Sequence, residues 1–219
     1  MKLQLILARD SGKNLKHLVF EAGFDFTTTY SMPGQFIEAK RGDTKGFFAI
    51  ANSPEKQEIE LLVKNEGTGQ AFAEMKSGES MDAGPAMGGG FDLDAGRNRD
   101  VHLFSMGSGI APLRALIQSF LDGKFQPSKI TLWQGAFTRE HLPFQYEYEI
   151  WEKSGIKIEL CLDQENGHSG ENVVQKLARL QPNLSRSVAY WIGSKPFGEA
   201  VSVAALQLKL DSKMLFTNS

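Results

Sequence analysis

The stretch 101–117, VHLFSMGSGIAPLRALI, constrains this chain more than any other. An apolar run stops at Met106-Gly107-Ser108-Gly109. Beyond Ile110-Ala111-Pro112 the residues Leu113, Leu116, Ile117 and Phe120 recur at helical spacing. The pattern predicts a strand, a tight glycine turn and a helix over 113–122. Two glycines around one small residue let the backbone turn sharply and leave amide N–H groups bare, and Pro112 suits the first helical turn. Such a turn docks an anion, a cofactor phosphate for example, on the helix N-terminus. Glycine also serves packing alone at strand-to-helix turns, so function and architecture both stay open here.

The same alternation repeats through the second half. Strand ITLWQGAF (130–137) precedes a helix through YEYEIWEKSG (146–155), and IKIELCL (156–162) leads through DQENGHSG to the helix NVVQKLARL (172–180). SVAYWIGS (187–194) and EAVSVAALQLKL (199–210) close the series, with a short strand-like piece in MLFTNS. Alternation at this spacing predicts a parallel sheet covered by helices, with ligands outside the carboxyl ends of its strands. Three of those ends carry glycine beside small or polar residues: Met106-Gly107-Ser108, Gln134-Gly135-Ala136 and Ile192-Gly193-Ser194.

The first half reads differently. Residues 3–8 and 15–22 alternate, 25–30 is rich in threonine and aromatics, and Met32-Pro33-Gly34 turns into QFIEAK. GFFAIAN (46–52) and EIELLVK (58–64) are further strands, GQAFAEM (69–75) is one or two helical turns, and SMDAG leads to GPAMGGGF (84–91). Short strands with glycine turns predict a small antiparallel barrel, and the polar DLDAGRNRD (92–100) fits a linker. The expected organisation is a barrel domain over 1–96 and an α/β domain over 97–219.

Composition narrows the classes. The 219 residues carry 24 Lys plus Arg against 26 Asp plus Glu, a balance that gives no footprint for nucleic acid or an anionic membrane. No apolar run is long enough for a membrane span, and Arg9, Asp10 and Lys13 interrupt the N-terminus too early for a secretory segment, so a cytoplasmic protein is expected. One cysteine, Cys161, excludes dithiol chemistry and reads as a buried small hydrophobe. The four histidines lack metal-ligand spacing, so no metal is expected, and SMGSG lacks the first glycine of a nucleophile elbow.

Several landmarks in order then carry a resemblance: PGQF (33–36), FFAIANSP (47–54), GPAMGGGF (84–91), GSGIAP (107–112), WQGAF (133–137) and IGSKPFGEAV (192–201). The chain resembles the ferredoxin–NADP reductase superfamily over nearly its whole length. FFAIANSP and MGGGF are most similar to a ferredoxin-reductase-like branch that includes a plant fruit protein. The resemblance implies a flavin-binding barrel before a nicotinamide-binding α/β domain, with FAD and NAD(P) as cofactors. It implies an oxidoreductase passing hydride from NAD(P)H to flavin and electrons to an acceptor protein.

By the same resemblance, Gly107, Ser108, Gly109, Ile110, Ala111 and Pro112 receive the nicotinamide pyrophosphate, and Gly135 and Ala136 approach the adenine ribose. Gly193 and Ser194 form the last glycine motif beside the nicotinamide. Arg139 is the nearest base for a 2′-phosphate or a solvated surface charge, and NADH versus NADPH stays open. On the flavin side the resemblance implies roles for Phe48, Ala49, Ile50, Gly69 and Gln70.

The sequence departs from the family there. Flavoprotein members carry Arg-x-Tyr-Ser/Thr where this chain has Gly46-Phe47-Phe48-Ala49. Phe48 keeps an aromatic face without a hydroxyl, and Ala49 keeps only its backbone N–H. Lys45 is adjacent to Gly46, but neighbours on a strand point to opposite faces; Lys40 and Arg41 are either other cations for the flavin phosphates or solvated loop charges, and Thr68 or Gln70 offers a hydroxyl or amide. One lost charge-assisted contact costs about 1.5–3 kcal/mol, which weakens flavin binding without abolishing it. GPAMGGGF would let the barrel approach a dinucleotide, or is a tight turn. Ile192 stands where many members place a cysteine. Glu199 either stabilises charge near the flavin or begins the last helix, and Phe216 either caps the site or closes the sheet. No catalytic residue is assigned. The rival expectation is a non-catalytic nucleotide-binding or assembly protein that kept the fold and lost flavin.

Overall fold

The computed structural model describes residues 1–218 apart from 24, 25 and 27, so the expectation for 25–30 lies partly outside the described residues. Lys2–Asp10 (β1), Leu15–Glu21 (β2), Phe36–Arg41 (β3), Thr44–Ala49 (β4), Glu58–Lys64 (β5) and Ser80–Ala83 (β6) form an antiparallel sheet ordered β4-β3-β6-β1-β2-β5. A bridge between Ile50 and Leu61 returns the end of β4 to β5 and closes the sheet into a barrel. Alternation along the strands sends Leu3, Leu5, Leu18 and Phe20 inward, where each is fully buried. The short helix Gly67–Ala73 (α1) covers the barrel and inserts Phe72 into the same core.

The second sheet contains Asp100–Met106 (β7), Lys129–Ala136 (β8), Ile156–Glu165 (β9), His168–Glu171 (β10), Ser187–Ile192 (β11) and Leu215–Phe216 (β12), ordered β10-β9-β8-β7-β11-β12. All pairings are parallel except β9 with β10. The helices Ile110–Leu121 (α2), Gln145–Lys153 (α3), Val173–Leu180 (α4) and Lys195–Gln207 (α5) cover its faces. After β7 the chain builds outward through β8 and β9, then crosses back to place β11 on the other side of β7. Strand order therefore reverses between the carboxyl ends of β7 and β11, where α/β sheets hold ligands.

Two details differ from the sequence reading. Helix α2 starts at Ile110 rather than at 113, and Pro112 lies in its first turn as expected. DQENGHSG is not a plain loop: Asn166 and Gly167 both have positive φ and turn β9 back into β10 as a two-residue hairpin.

The two sheets share a core. Leu15, Ala51, Leu62 and Phe91 from the first half pack with Val101, Leu103, Leu113 and Tyr190 from the second. A polar cluster is buried at this seam. Arg114 on α2, only 3% exposed, donates Nε and Nη2 to the two carboxylate oxygens of Glu147 at 2.8 and 2.7 Å, and Nη1 to the Ala51 carbonyl at 2.8 Å. The same Nη1 lies 2.8 Å from Glu60 on β5. Glu60 in turn accepts from His17 Nε2 at 2.6 Å. His17 Nδ1 accepts from Arg9 at 3.1 Å and faces the Tyr146 hydroxyl at 2.9 Å, which fixes the neutral tautomer with its proton on Nε2. Phe144 packs edge-on to His17 at 5.1 Å and under the Arg114 guanidinium at 4.6 Å. Its φ of +56° is rare for a bulky residue and is held by the Ser11 hydroxyl accepting its N–H.

Burial lowers the His17 pKa below its ordinary 6.5, with the Arg114 and Arg9 charges adding to it against the opposing pull of Glu60. For Glu60 burial pushes upward, yet the His17 hydrogen bond and the Arg114 charge prevail and hold it at about 2. Removing Arg114 strands two buried carboxylates. Arg114→Met is expected to lose about 3–5 kcal/mol in denaturant unfolding, and Arg114→Lys to recover only part because an ammonium cannot span the bidentate Glu147 contact. Because folded His17 holds its proton less tightly than the unfolded chain, the stability it contributes is present above pH 6.5 and is lost as pH falls below it. His17→Gln is expected to flatten the fall in melting temperature that begins below that pH. The contribution of Glu60 is lost lower, as pH drops from 4.5 toward 2.

Candidate functional site

The carboxyl ends of β7 and β11 open into a cleft of about 790 Å³ against the barrel. Phe47, Phe48 and Ala49 from β4 and Lys64, Glu66, Thr68 and Gly69 from the β5–α1 segment form one wall. Met106, Gly107, Ser108, Gly109, Ala111 and Pro112 form the second, and Ile192, Gly193 and Ser194 the third, with Asn218 at the edge. Ten of the residues singled out from sequence thus meet on one surface: Phe48, Ala49, Gly69, Gly107, Ser108, Gly109, Ala111, Pro112, Gly193 and Ser194.

The remaining five stand elsewhere. Ile50 and Ile110 are fully buried, the first in the barrel core and the second in the seam core. Gln70 is exposed and donates to Glu74 at 2.9 Å. Gly135 lines a hollow of about 410 Å³ beyond the turn, and Ala136 one of about 320 Å³ on its barrel side. Met106 lines the cleft and both hollows.

The glycine turn is built for close approach. Gly107 has φ +54°, and a Cβ there would point into open space, while a Cβ on Gly109 would stand 2.6 Å from the Ile192 carbonyl oxygen. Gly109 therefore lets the ends of β7 and β11 touch, and Gly107 leaves bare backbone facing the cleft. No side chain caps α2 and no acidic residue sits in its first turn, so the positive end of its dipole opens toward the cleft. Beneath the turn, buried Gln134 accepts from the Ser105 hydroxyl and donates to the Gly135 carbonyl at 3.1 Å, joining the ends of β7 and β8.

On the barrel wall, the Phe48 ring folds back over Gly46: a Cβ at 46 would meet ring carbon Cε2 at 2.8 Å. The ring also packs edge-on against Phe72 at 4.8 Å. The glycine at 46 is what permits this pose, so a long side chain there and the present Phe48 position exclude each other. Gly69 has a packing reason as well, since its Cβ would lie 2.2 Å from the Lys64 carbonyl oxygen.

The structure places the cations considered from sequence outside the cleft. Lys45 pairs with Glu38 at 3.1 Å, and Arg41 donates to the Ala71 carbonyl and to Glu79. Neither these nor Lys40 lines the cleft. Among the described lining residues Lys64 is the cation, and its only described ion pair is an exposed one with Glu66 at 3.7 Å. Arg139 is committed to Glu165 at 3.0 Å. GPAMGGGF does not reach the cleft: Phe91 N–H donates to the Pro33 carbonyl at 2.8 Å, Gln35 donates to the Gly88 carbonyl at 3.0 Å, and Gly90 admits Met32 at a distance no Cβ would allow. Of the alternatives for the remaining two, Phe216 stacks on Tyr190 at 5.5 Å and closes the sheet, and Glu199 lies within α5 beside Lys195.

No family model matches the sequence. Sulfhydrogenase 2 subunit gamma of Pyrococcus furiosus is 28% identical over 164 residues, covering 72% of this chain and 54% of that protein. Fruit protein pKIWI502 of Actinidia deliciosa is 23% identical over 203 residues, covering 83% and 59%. The chain thus spans between half and three-fifths of the length of these curated relatives. Among solved structures, the flavohem-like FAD/NAD binding domain of nitric oxide dioxygenase from Vibrio cholerae superposes with a TM-score of 0.83 at 18% identity, covering 99% of this chain and 96% of that one. The chain has the fold of the ferredoxin–NADP reductase superfamily. A ferredoxin-NADP+ reductase from Plasmodium falciparum gives 0.81 at 14% identity, with 99% and 95% covered. The two-domain fold and the superfamily resemblance read from sequence are borne out. No helix among the described residues is long and apolar enough to cross a membrane.

Cys161 also lines the 410 Å³ hollow, but it is 1% exposed and burial pushes its thiol up to about 12. The folded protein is expected to show no reaction with a disulfide reagent at pH 8, and one thiol per chain once unfolded.

Proposed function

We propose that the chain is a reductase-type oxidoreductase that binds FAD in the 790 Å³ cleft and a nicotinamide dinucleotide across the glycine turn, and delivers electrons to an acceptor protein. One observation carries this reading: the barrel wall, the Lys64–Gly69 segment and the two glycine strand ends converge on a single cleft at the switch in strand order. We divide the chain between residues 96 and 97, after the turn Asp94–Gly96 that lies between the two sheets. The reductase relatives and neighbours support the assignment; FAD is named for the Vibrio domain.

The residues present suit both groups. Bare backbone at Gly107 to Gly109 and the uncapped α2 dipole would hold a pyrophosphate, and Lys64 would offset phosphate charge crossing the cleft. Phe48, Ala49, Leu62 and Ile192 give the floor an apolar character that would keep water from a bound ring. Ile192 and Gly193 close the face where a nicotinamide would stand, without a thiol. Bound FAD would supply the hydride acceptor and the route for electrons to leave, and the protein's own part is alignment.

Gly46 and Ile192 favour a second reading, a non-catalytic nucleotide-binding or assembly protein. The visible spectrum of freshly purified protein separates the two: a flavin spectrum, or its appearance on adding FAD, is expected, and a folded protein that stays colourless and takes up no FAD overturns the first reading. Lys64→Ala is expected to weaken dinucleotide binding about ten- to hundred-fold, as loss of one charge-assisted contact does. Unchanged affinity for both FAD and NADH would remove Lys64 from the site. Gly107→Asp meets no neighbouring atom but strains the turn through its positive φ, which aspartate tolerates better than most residues, and it sets a carboxylate on the turn. It should cost NADH about tenfold or more in affinity, Gly107→Asn carrying the same backbone strain without the charge should cost less, and equal binding by wild type and Gly107→Asp refutes the turn as the phosphate site.

A further inference from the structure

Gln134 is a buried amide beneath the glycine turn that the reading above does not use. It lies on β8 directly opposite Ser105 of β7, and both residues are fully buried. Its Nε2 donates to the Gly135 carbonyl at 3.1 Å and reaches the Gly107 carbonyl at 3.5 Å, the long end of a hydrogen bond. Two carbonyls at that end call for the NH2 group there, so Oε1 faces Ser105 and the serine hydroxyl donates to it. Ser105 thus sets which way the amide points. The parallel ladder already joins the strands at Ser105–Gln134 and Met106–Gly135, so pairing of β7 with β8 does not depend on this side chain.

The turn is where a hold is needed. Gly107, at φ +54° with open space where a Cβ would stand, leaves the peptide after it free to rotate. The backbone gives the Gly107 carbonyl one partner, the Ile110 N–H at the start of α2. Gln134 is the one side chain among the described residues that adds a second. In a trans peptide the carbonyl and the following N–H point in opposite directions. A Gly107 carbonyl held down toward Gln134 therefore turns the Ser108 N–H away from the sheet, where Ser108 borders the cleft.

We infer that Gln134 is a positioning residue for the dinucleotide pyrophosphate: its amide pins the Gly107–Ser108 peptide so that the Ser108 N–H is aimed at the anion before the ligand arrives. The inference rests on the nucleotide reading above. A donor already aimed needs no reorganisation when the phosphate docks. The same contact draws the Gly107 carbonyl oxygen inward, so its negative end does not face the phosphate.

Titration of the full chain with NADH, well below its melting transition, tests this. Gln134→Leu should bind NADH about tenfold more weakly, and Ser105→Ala should fall between it and wild type. Gln134→Glu carries the readout that packing alone would not move. Its carboxyl replaces the amide donor only while protonated, and burial raises its pKa, so its NADH affinity relative to wild type should rise as pH falls from about 8 to about 6. The same ratio for Gln134→Leu should stay flat. Glutamate keeps the shape of glutamine, so this measurement stands even where the leucine variant does not fold. A role confined to packing lowers melting temperatures and leaves NADH binding by the folded variants unchanged. Wild-type affinity in Gln134→Leu, or a Gln134→Glu ratio independent of pH, overturns the inference while leaving the nucleotide site intact. No binding of NADH by folded wild type overturns both.

Discussion

A guanidinium almost withdrawn from water ties the two halves of this molecule into one register. Arg114 stands on the helix that begins at the glycine turn, and its hydrogen bonds reach a barrel carbonyl, a barrel glutamate and a glutamate on α3. A buried ion cluster of this kind is weak evidence for extra stability, since an apolar replacement of equal volume often does as well. Its value lies in register. Each bond has one geometry, so the cluster sets the angle at which the barrel meets the parallel sheet. The cleft is the gap between these two bodies, and its width follows from that angle.

The glycines at the cleft act on the same gap from the other side. Gly109 brings the ends of β7 and β11 into van der Waals contact, and Gly46 lets an aromatic ring lie flat along the barrel wall. Both choices trade side-chain functionality for surface shape. The result is a floor made largely of backbone and apolar rings, with its charge confined to Lys64 and Glu66 at the rim. Such a surface positions a ligand that brings its own reactivity.

The periodic parts of this architecture were legible in the sequence, because strand and helix spacing is a local property. The turn at 107–109 and the alternation around it specify a parallel sheet, and the short alternating runs before it specify a barrel. Pairing between distant residues was not legible. Arg139 gains Glu165 as a partner only through the hairpin at Asn166-Gly167, and Lys45 gains Glu38 only as a diagonal neighbour on β3. Lys64 carried no signal at all, since it ends a strand that reads as ordinary β-sheet, and only the packing of other elements leaves it facing the cleft. The run at 84–91 left two readings open for a different reason. Its glycines answer to a neighbouring loop, and composition alone does not distinguish that from a ligand contact.

Met106 stands where the main cleft and the two smaller hollows meet, 40% exposed and bordering all three. A thioether chain has three rotatable bonds and fills irregular space without strongly preferring one shape. Ser194 shares one of these boundaries with it, and Gly107, Ser108, Lys64 and Glu66 the other, so Met106 is the one residue common to all three. An adaptable side chain at that junction suits a surface that must fit ligand groups of different shape on either side.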